Sequence, residues 1–317
     1  MKGLNHIVYL AVILVSIVSF SCKPSSAESS VINTDKNTLS LKFNPKPGSV
    51  YNYTIENKTE LEMEMQGKKT RKNADFDVAI TYSIARDTAG NYLFESRYEK
   101  IRLVTKDDDV ETISDAGNAN AWSPLTEKML GALKESRLVI SVAPGNNIKI
   151  LSGYEELSNR LMSGLDTSNI SVKQTAQAKI DEIIKKGLIE RNVDQLFRFF
   201  PDSAMRVGSK WKVNTKEQQG LALNINTSYA LDDISGGVAY ISSKSSITSD
   251  KTPIAIMGYN AVPELTGEQE GIYEVEAGTC MLLNASVSSS VKGSINLGES
   301  AIPVSIRVVM KLEGKRL

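Results

Sequence analysis

The stretch "IPVSIRVVMKLE", residues 302–313, decides the fold. Most of its polar residues stand at every second position, and between them runs an apolar set: Ile302, Val304, Ile306, Val308, Met310 and Leu312. A period of two places such a set on one face of a β-strand. The stretch therefore predicts a long antiparallel strand with one buried face and one face in water.

The same alternation recurs in "ELEMEM" (residues 60–65) and "DFDVAITYSI" (residues 75–84). Residues typical of turns stand in "QGKK" (66–69), "RDTAGNY" (86–92), "LDDISGGV" (231–238) and "VKGS" (291–294). Strand-like runs joined by such turns favour hairpins in series. The predicted fold is mainly β (α+β): a large curved antiparallel sheet or half-barrel, with a central helical insert packed on one face.

The middle of the chain carries signals for helices. Ser123 followed by Pro124 suits a helix start, and that helix is expected to run to about residue 137. Two strand-like pieces, "RLVISVA" and "NIKIL", follow it. Ser152 with Glu155 has the spacing of a capping box for a second helix, and residues 171 and 174 have it for a third.

These signals divide the chain into a signal segment (1–21), a lipidated cysteine with a flexible tether (22–38) and one β-rich domain (39–317). Within that domain we expect a first β region (39–121), the helical insert (122–200) and a second β region (201–317). The two β regions open on similar letters, "GSVY" at 48–51 and "GSKW" at 208–211. Two copies are few, so duplication and chance similarity both stay open.

The N-terminal segment predicts export and lipid anchoring. A basic start is followed by an apolar run, Ile7 to Phe20, that suits a signal peptide better than a spanning helix, although an uncleaved anchor is the alternative. "SFSC", residues 19–22, resembles a bacterial lipobox, with cleavage after Ser21 and acylation of Cys22. A competing cut after Ala27 would discard that cysteine.

Composition excludes several function classes. Lys plus Arg and Asp plus Glu both total 37, so no basic surface for nucleic acid is expected. His6, the one histidine, lies inside the predicted signal segment, which excludes histidine-dependent catalytic and metal sites from the mature chain. Ser289 and Lys292 spell a serine–lysine motif, but residues three apart on a strand point to opposite faces. We expect no enzyme, no metal and no cofactor, and Cys280 as a buried structural thiol.

Aromatic residues give the one indication of a binding site. Phe94 and Tyr98 fall on one face of "NYLFESRYEK", residues 91–100, and Tyr82 belongs to the strand before it. These three side chains could line a cavity on the concave side of the sheet, or they could pack against the helices.

Several stretches resemble a family of uncharacterised Bacteroidota lipoproteins, known as a domain of unknown function: "FNPKPGSVYNYTI" (43–55), "VAPGNNIKILSGYEEL" (142–157), "FFPDSAMRVGSKW" (199–211), "GEQEGIYEVEAGTCMLL" (267–283) and "IPVSIRVVMKL" (302–312). The resemblance implies a cell-envelope protein with no known activity. Surface-exported lipoproteins of the Bacteroidota typically carry acidic residues directly after the cysteine, and residues 23–27 contain none. We therefore expect an outer-membrane lipoprotein that faces the periplasm. More loosely, the predicted sheet and helices look like the half-barrel of periplasmic lipoprotein carriers.

Two function hypotheses follow. The first is a membrane-anchored protein that binds a lipid or another apolar or amphipathic ligand between sheet and helices. The second is a structural or scaffolding lipoprotein that holds an envelope protein partner. A cavity between sheet and helices would favour the first, and an exposed apolar patch would favour the second.

Overall fold

The computed structural model describes residues 39–41, 43–65, 67–107, 110–115, 130–143, 148–163, 174, 177–178, 180–181, 201, 204–217, 221–256, 259–298 and 300–317. The predicted signal segment with Ser21, the acylated Cys22 and the tether lie outside the described residues. So do the predicted start of the first helix and most of the third. No helix in the described ranges is long and apolar enough to cross a membrane.

The described residues form fifteen strands and the helix α1, in the order β1 (Leu39–Ser40), β2 (Val50–Met65), β3 (Lys68–Arg86), β4 (Tyr92–Asp107), β5 (Val110–Asp115), β6 (Arg137–Val142), β7 (Ile148–Ser152), α1 (Tyr154–Met162), β8 (Ala204–Met205), β9 (Lys210–Glu217), β10 (Leu223–Ser235), β11 (Val238–Ser249), β12 (Ile254–Ile256), β13 (Tyr259–Glu276), β14 (Leu282–Leu297) and β15 (Ser300–Arg316). Residues 130–134 are also helical.

One antiparallel sheet contains most of these strands, in the order β7-β6-β4-β3-β2-β15-β14-β13-β11-β10-β9. Strands β5 and β12 pair with β4 and β13 outside that path, and β1 pairs with β8 in a small separate sheet. The C-terminal strand β15 lies between β2 and β14, so the end of the chain joins the two β regions. The predicted fold class, a large antiparallel sheet with a helical insert, is confirmed.

Burial alternates along the strands as the sequence predicts. Five of the six residues of the alternating apolar set in 302–313 are buried, from Val304 to Leu312, and Ile302 is half-buried. We call the side that carries these residues the inner face, and the opposite side the outer face. Exposed Lys311 and Arg307 belong to the outer face of the same strand.

A glycine on the inner face lets two strands of the sheet approach each other closely. A Cβ atom at Gly267 in β13 would lie 2.3 Å from the backbone oxygen of Ser290 and 2.8 Å from the Cα of Val291 in β14. Glycine therefore permits a close approach of these two strands. The sheet is curved, because the start of β2 reaches the end of β13 across two intervening strands. The Tyr51 hydroxyl of β2 donates to the Glu276 carboxylate of β13 at 2.9 Å.

Three local predictions are wrong. The letters "VKGS" do not form a turn, because β14 continues through them to Leu297; at Gly293 a Cβ would lie 2.0 Å from the Glu264 oxygen, so this glycine marks a close strand contact. Ser152 does not cap α1: it ends β7, and Gly153 at φ 88° is the N-cap without a side-chain bond. The first helix does not reach residue 137, where β6 begins.

The two β regions open with the same backbone arrangement. Gly48 N–H donates to the Ile84 carbonyl at 2.7 Å, and Gly208 N–H donates to the Leu231 carbonyl at the same distance. In each region the N–H of that acceptor residue returns a bond of 2.9 Å to the serine after the glycine. The short strands before the two glycines, β1 and β8, pair with each other. These equivalent contacts favour duplication over chance.

Candidate functional site

An aromatic cluster occupies one end of the inner face. Its rings lie 5.3 to 6.3 Å from their neighbours, centroid to centroid, and belong to Phe43, Tyr51, Tyr53, Tyr82, Tyr92, Phe94, Trp211, Tyr229 and Tyr273. The helical insert packs on this end, where Leu133, Leu157 and Leu161 join the same core. The cluster is therefore the part of the sheet that meets the helices.

The three residues predicted to line a site lie in this region. Tyr82 and Phe94 contact edge to face at 6.0 Å, and Tyr98 is the cross-strand neighbour of Ile80, which stands two residues before Tyr82 on the same face of β3. All three are buried on the inner face, and burial raises the pKa of the Tyr82 and Tyr98 hydroxyls. The structure brings them together as the sequence indicates; their contact with a ligand stays a prediction.

Two tyrosines of β2 differ in how their hydroxyls are satisfied. Tyr51 donates to Glu276, whose carboxylate also accepts from Thr279. Burial raises the pKa of both tyrosines, and the Glu276 carboxylate adds to the effect at Tyr51. Tyr53 is fully buried, and its oxygen has no hydrogen-bond partner within the part of the chain that the structure describes. A buried hydroxyl without a partner is a group that a bound ligand could satisfy.

An aliphatic cluster occupies the other end of the inner face. It consists of Leu61, Leu221, Leu223, Ile225, Ile247, Leu265, Val291, Val304, Ile306 and Val308, with four more residues packed against it. The described helical residues belong to the aromatic end and not to this one.

Between the two ends runs a row of nine buried residues, one from each of nine adjacent strands. In register from β4 to β9 they are Thr105, Ala74, Thr59, Val308, Ser289, Gln269, Ser245, Thr227 and Val213. Six of the nine are polar, and we call this set the polar row. It crosses a face that is otherwise apolar along most of its strands.

Hydrogen bonds hold part of the polar row in place. Thr227 and Ser245 share a bond of 2.9 Å, and the Thr59 hydroxyl donates to Asn57 at 3.5 Å. Sequence reasoning missed the row, although strands that contribute a polar residue can carry a signal: in β10 a threonine interrupts the inward set of Leu, Ile, Tyr and Leu. The alignment of these interruptions is visible only once the strand order is known.

A buried lysine adds charge next to the aliphatic end. Lys72 is 4% exposed on the inner face of β3, and its ammonium lies 3.1 Å from the Asp107 carboxylate of β4. Lys72 and Asp107 stand directly opposite each other on the two adjacent strands. A buried charge of this kind needs its partner, because an isolated ion is costly to remove from water.

The remaining reactive groups have structural surroundings. Cys280 is fully buried in the turn between β13 and β14, and burial raises the pKa of its thiol to about 12, which leaves it protonated at neutral pH. Ser289 is buried on the inner face and Lys292 is exposed on the outer face, so the serine–lysine letters form no dyad. Among the described residues no group of three His, Cys, Asp or Glu side chains could hold a metal ion.

Residues 89–282, from the β3–β4 turn to the start of β14, match the family of unknown function DUF6263. The chain belongs to this family. The predicted membership of a domain of unknown function is thus confirmed, and the DUF6263 segment contains the helical insert together with four of the six polar residues of the polar row: Thr105, Thr227, Ser245 and Gln269. No curated protein matches the chain.

Three solved structures show distant likenesses. A lipovitellin structure, described by its lipid–protein interactions, has 13% identity and a TM-score of 0.44 over 85% of this chain, which spans only 25% of the lipovitellin chain. An outer-membrane channel from Pseudomonas putida F1 has 7% identity and a TM-score of 0.22, over 90% of this chain and 100% of that one. OccK5 of Pseudomonas aeruginosa has 8% identity and a TM-score of 0.23, over 87% and 99%. All three scores lie below 0.5, so none of these likenesses bears on function.

Proposed function

We propose that this DUF6263 protein is a lipid-anchored envelope protein that binds an apolar or amphipathic ligand between its sheet and its helical insert. Acylated Cys22 would hold it at the outer membrane, facing the periplasm. The observation that carries the ligand-binding proposal is the polar row, which crosses the inner face between an aromatic and an aliphatic cluster.

The polar row places hydrogen-bonding groups where core packing alone does not require them. Each buried hydroxyl or amide needs a hydrogen bond to avoid a cost of about 1 to 3 kcal/mol, a requirement that apolar side chains at the same positions would not impose. An inner face with hydrogen-bonding groups between two apolar ends would suit a ligand whose polar group lies between two apolar parts. The unsatisfied hydroxyl of Tyr53 supplies a further polar contact within the aromatic cluster.

The mechanism would be sequestration. Apolar area removed from water contributes about 25 cal/mol per Å², so about 300 Å² of acyl chain contributes about 7 kcal/mol before the entropy of association is subtracted. The polar row would then orient the ligand rather than supply most of the affinity.

The scaffold alternative draws less support from the surface. It expects an exposed apolar patch. The exposed large apolar side chains of the described residues are Leu151, Val207, Ile272 and Leu317, and these stand on four different segments: β7, the turn after β8, β13 and the residue after β15. This distribution favours ligand binding over a protein partner.

Native mass spectrometry tests the ligand directly. The chain from residue 22 onward, with Cys22→Ser, is purified from cells without detergent, and a co-purifying molecule of defined mass is expected. Thr227→Val and Ser245→Ala should lower its occupancy, whereas Ser286→Ala, on the outer face of β14, should not. An empty protein whose melting temperature is unmoved by fatty acids, phospholipids and isoprenoids would refute ligand binding.

The anchor has its own test. Palmitate labelling in cells should mark the wild-type chain and disappear in Cys22→Ser. Labelling that survives the substitution would defeat the anchor assignment while leaving ligand binding intact.

A further inference from the structure

A groove of about 410 Å³ lies on the outer face of β13, β14, β15 and β2, on the far side of the sheet from most of the inner-face site. Strand alternation turns Ser290 and Lys292 of β14 and Arg307 of β15 outward into it. No aromatic residue lines it. The groove is therefore a polar site, with chemistry unlike that of the apolar ends of the inner face.

Four of its residues form a square on two adjacent strands. Ser290 pairs with Arg307, and Lys292 pairs with Ser305, in neighbouring outward positions of the β14–β15 ladder. Lys292 and Arg307 thus occupy one diagonal, with their backbone positions about 7 to 8 Å apart, and the two serines occupy the other. Two cations so placed repel each other, and an anion between them would relieve that repulsion.

Neither cation of the square is held in an ion pair by the described residues, although four glutamates also line the groove and Glu60 stands directly opposite Arg307 in the ladder. Within the described ranges, neither Lys292 nor Arg307 forms an ion pair or a hydrogen bond, although both line the groove. Other charges nearby are already matched: Glu62 binds Arg71, and Glu270 lies 3.1 Å from Lys244. The square therefore offers donors that no ion pair among the described residues occupies, and Glu60 and Glu268 are carboxylates of the same groove that form no ion pair there either.

Two glutamates extend the square in one row. Glu268 pairs with Ser290, and Glu60 pairs with Arg307, so the row reads Glu268, Ser290, Arg307, Glu60 across four strands. One strand spacing, about 4.8 Å, separates Glu268 from the nearest corner of the square. That spacing suits a ligand whose positive group stands a few bonds from its anion.

We propose that this groove binds a zwitterion made of a phosphate-type oxyanion and a primary ammonium group, as in phosphoethanolamine. Arg307, Lys292, Ser290 and Ser305 hold the oxyanion, because a tetrahedral anion accepts hydrogen bonds from several directions at once. Glu268 holds the ammonium. The proposal rests on outer-face residues and does not depend on the ligand proposed for the inner face.

Isothermal titration calorimetry tests it on the chain from residue 22 with Cys22→Ser. O-phosphoethanolamine should bind about tenfold more tightly than inorganic phosphate, and ethanolamine should bind weakest. Arg307→Gln and Lys292→Gln should each lower the affinity for both phosphates by about tenfold, and Glu268→Gln should remove only the preference for the zwitterion. Lys311→Gln, two outward positions from Arg307 and outside the groove, is the matched control.

Two outcomes would overturn the proposal, and a further assay separates a lipid headgroup from a soluble ligand. No binding of any probe at about 10 mM, or an Arg307→Gln affinity equal to that of Lys311→Gln, overturns the proposal. Thermal unfolding of each variant confirms that these exposed substitutions leave the fold intact. Co-sedimentation with vesicles of phosphatidylcholine, with and without phosphatidylethanolamine, separates the sources: Arg307-dependent binding to the second kind assigns a lipid headgroup, and binding of the free zwitterion alone assigns a soluble ligand.

Discussion

The close contact of β13 and β14 makes Gly267→Ala the most informative perturbation of this fold. The added Cβ would lie 2.3 Å from the Ser290 oxygen, whereas real Cβ atoms essentially never come within 3.0 Å of such a neighbour. The strands must separate by at least the difference, 0.7 Å. The obstacle is backbone, so no side-chain rotation relieves it.

The expected loss is about 2 to 5 kcal/mol, since overpacking costs about 1 to 3 kcal/mol and one or two ladder hydrogen bonds add about 1 kcal/mol each. Equilibrium unfolding in urea measures it as a lower midpoint at unchanged slope. Gly278→Ala is the control, because a Cβ there meets nothing within 4 Å. A Gly267→Ala protein within about 0.5 kcal/mol of wild type would refute the close-contact argument.

Three further predictions concern single groups. Tyr53→Phe removes a buried hydroxyl without a described partner and should leave stability unchanged or raise it by about 1 kcal/mol, whereas Tyr51→Phe breaks a bond to a carboxylate and should lower it; urea unfolding compares them. Asp107→Asn removes the carboxylate that faces the buried ammonium of Lys72 and should cost about 3 kcal/mol, and Lys72→Met should cost much less in the same assay. Burial raises the pKa of the Cys280 thiol from 9.0 to about 12, so its contribution to stability is present below pH 9 and is lost as the pH rises from about 9 to about 12. Cys280→Ala should flatten the decline of the unfolding free energy with pH over this range. An equal decline in both proteins would contradict the prediction.

Alternation along the sequence was sufficient to predict the long strands and the fold class. In β15 and β3 the apolar period of two matches the observed burial almost position by position. Local signals were less reliable where a residue served a distant contact. Gly293 looks like a turn residue, but its lack of a side chain is needed for the approach of the Glu264 backbone. Ser152 looks like a cap, but it is still part of β7, and the N-cap is Gly153.

Only part of the inner-face site could be predicted from the sequence. The shared face of Tyr82, Phe94 and Tyr98 follows from alternation within two neighbouring strands. The polar row does not follow, because it depends on a strand order in which β15 lies beside β2. Thr59 and Ser289 belong to strands 230 positions apart and are separated in the row only by Val308. A register fixed by long-range pairing cannot be deduced from the period of each strand alone.

The two proposed sites share the same stretch of β14, and this links them physically. Successive residues of a strand point to opposite faces, so Ser289 belongs to the polar row while Ser290 and Lys292 belong to the outer groove. Gly267 presses against the backbone of this stretch at Ser290. A displacement of about 0.7 Å there would move groups on both faces, so Gly267→Ala should weaken the inner ligand and the outer zwitterion together. Loss of one ligand with full retention of the other would show that the β13–β14 contact does not position both sites.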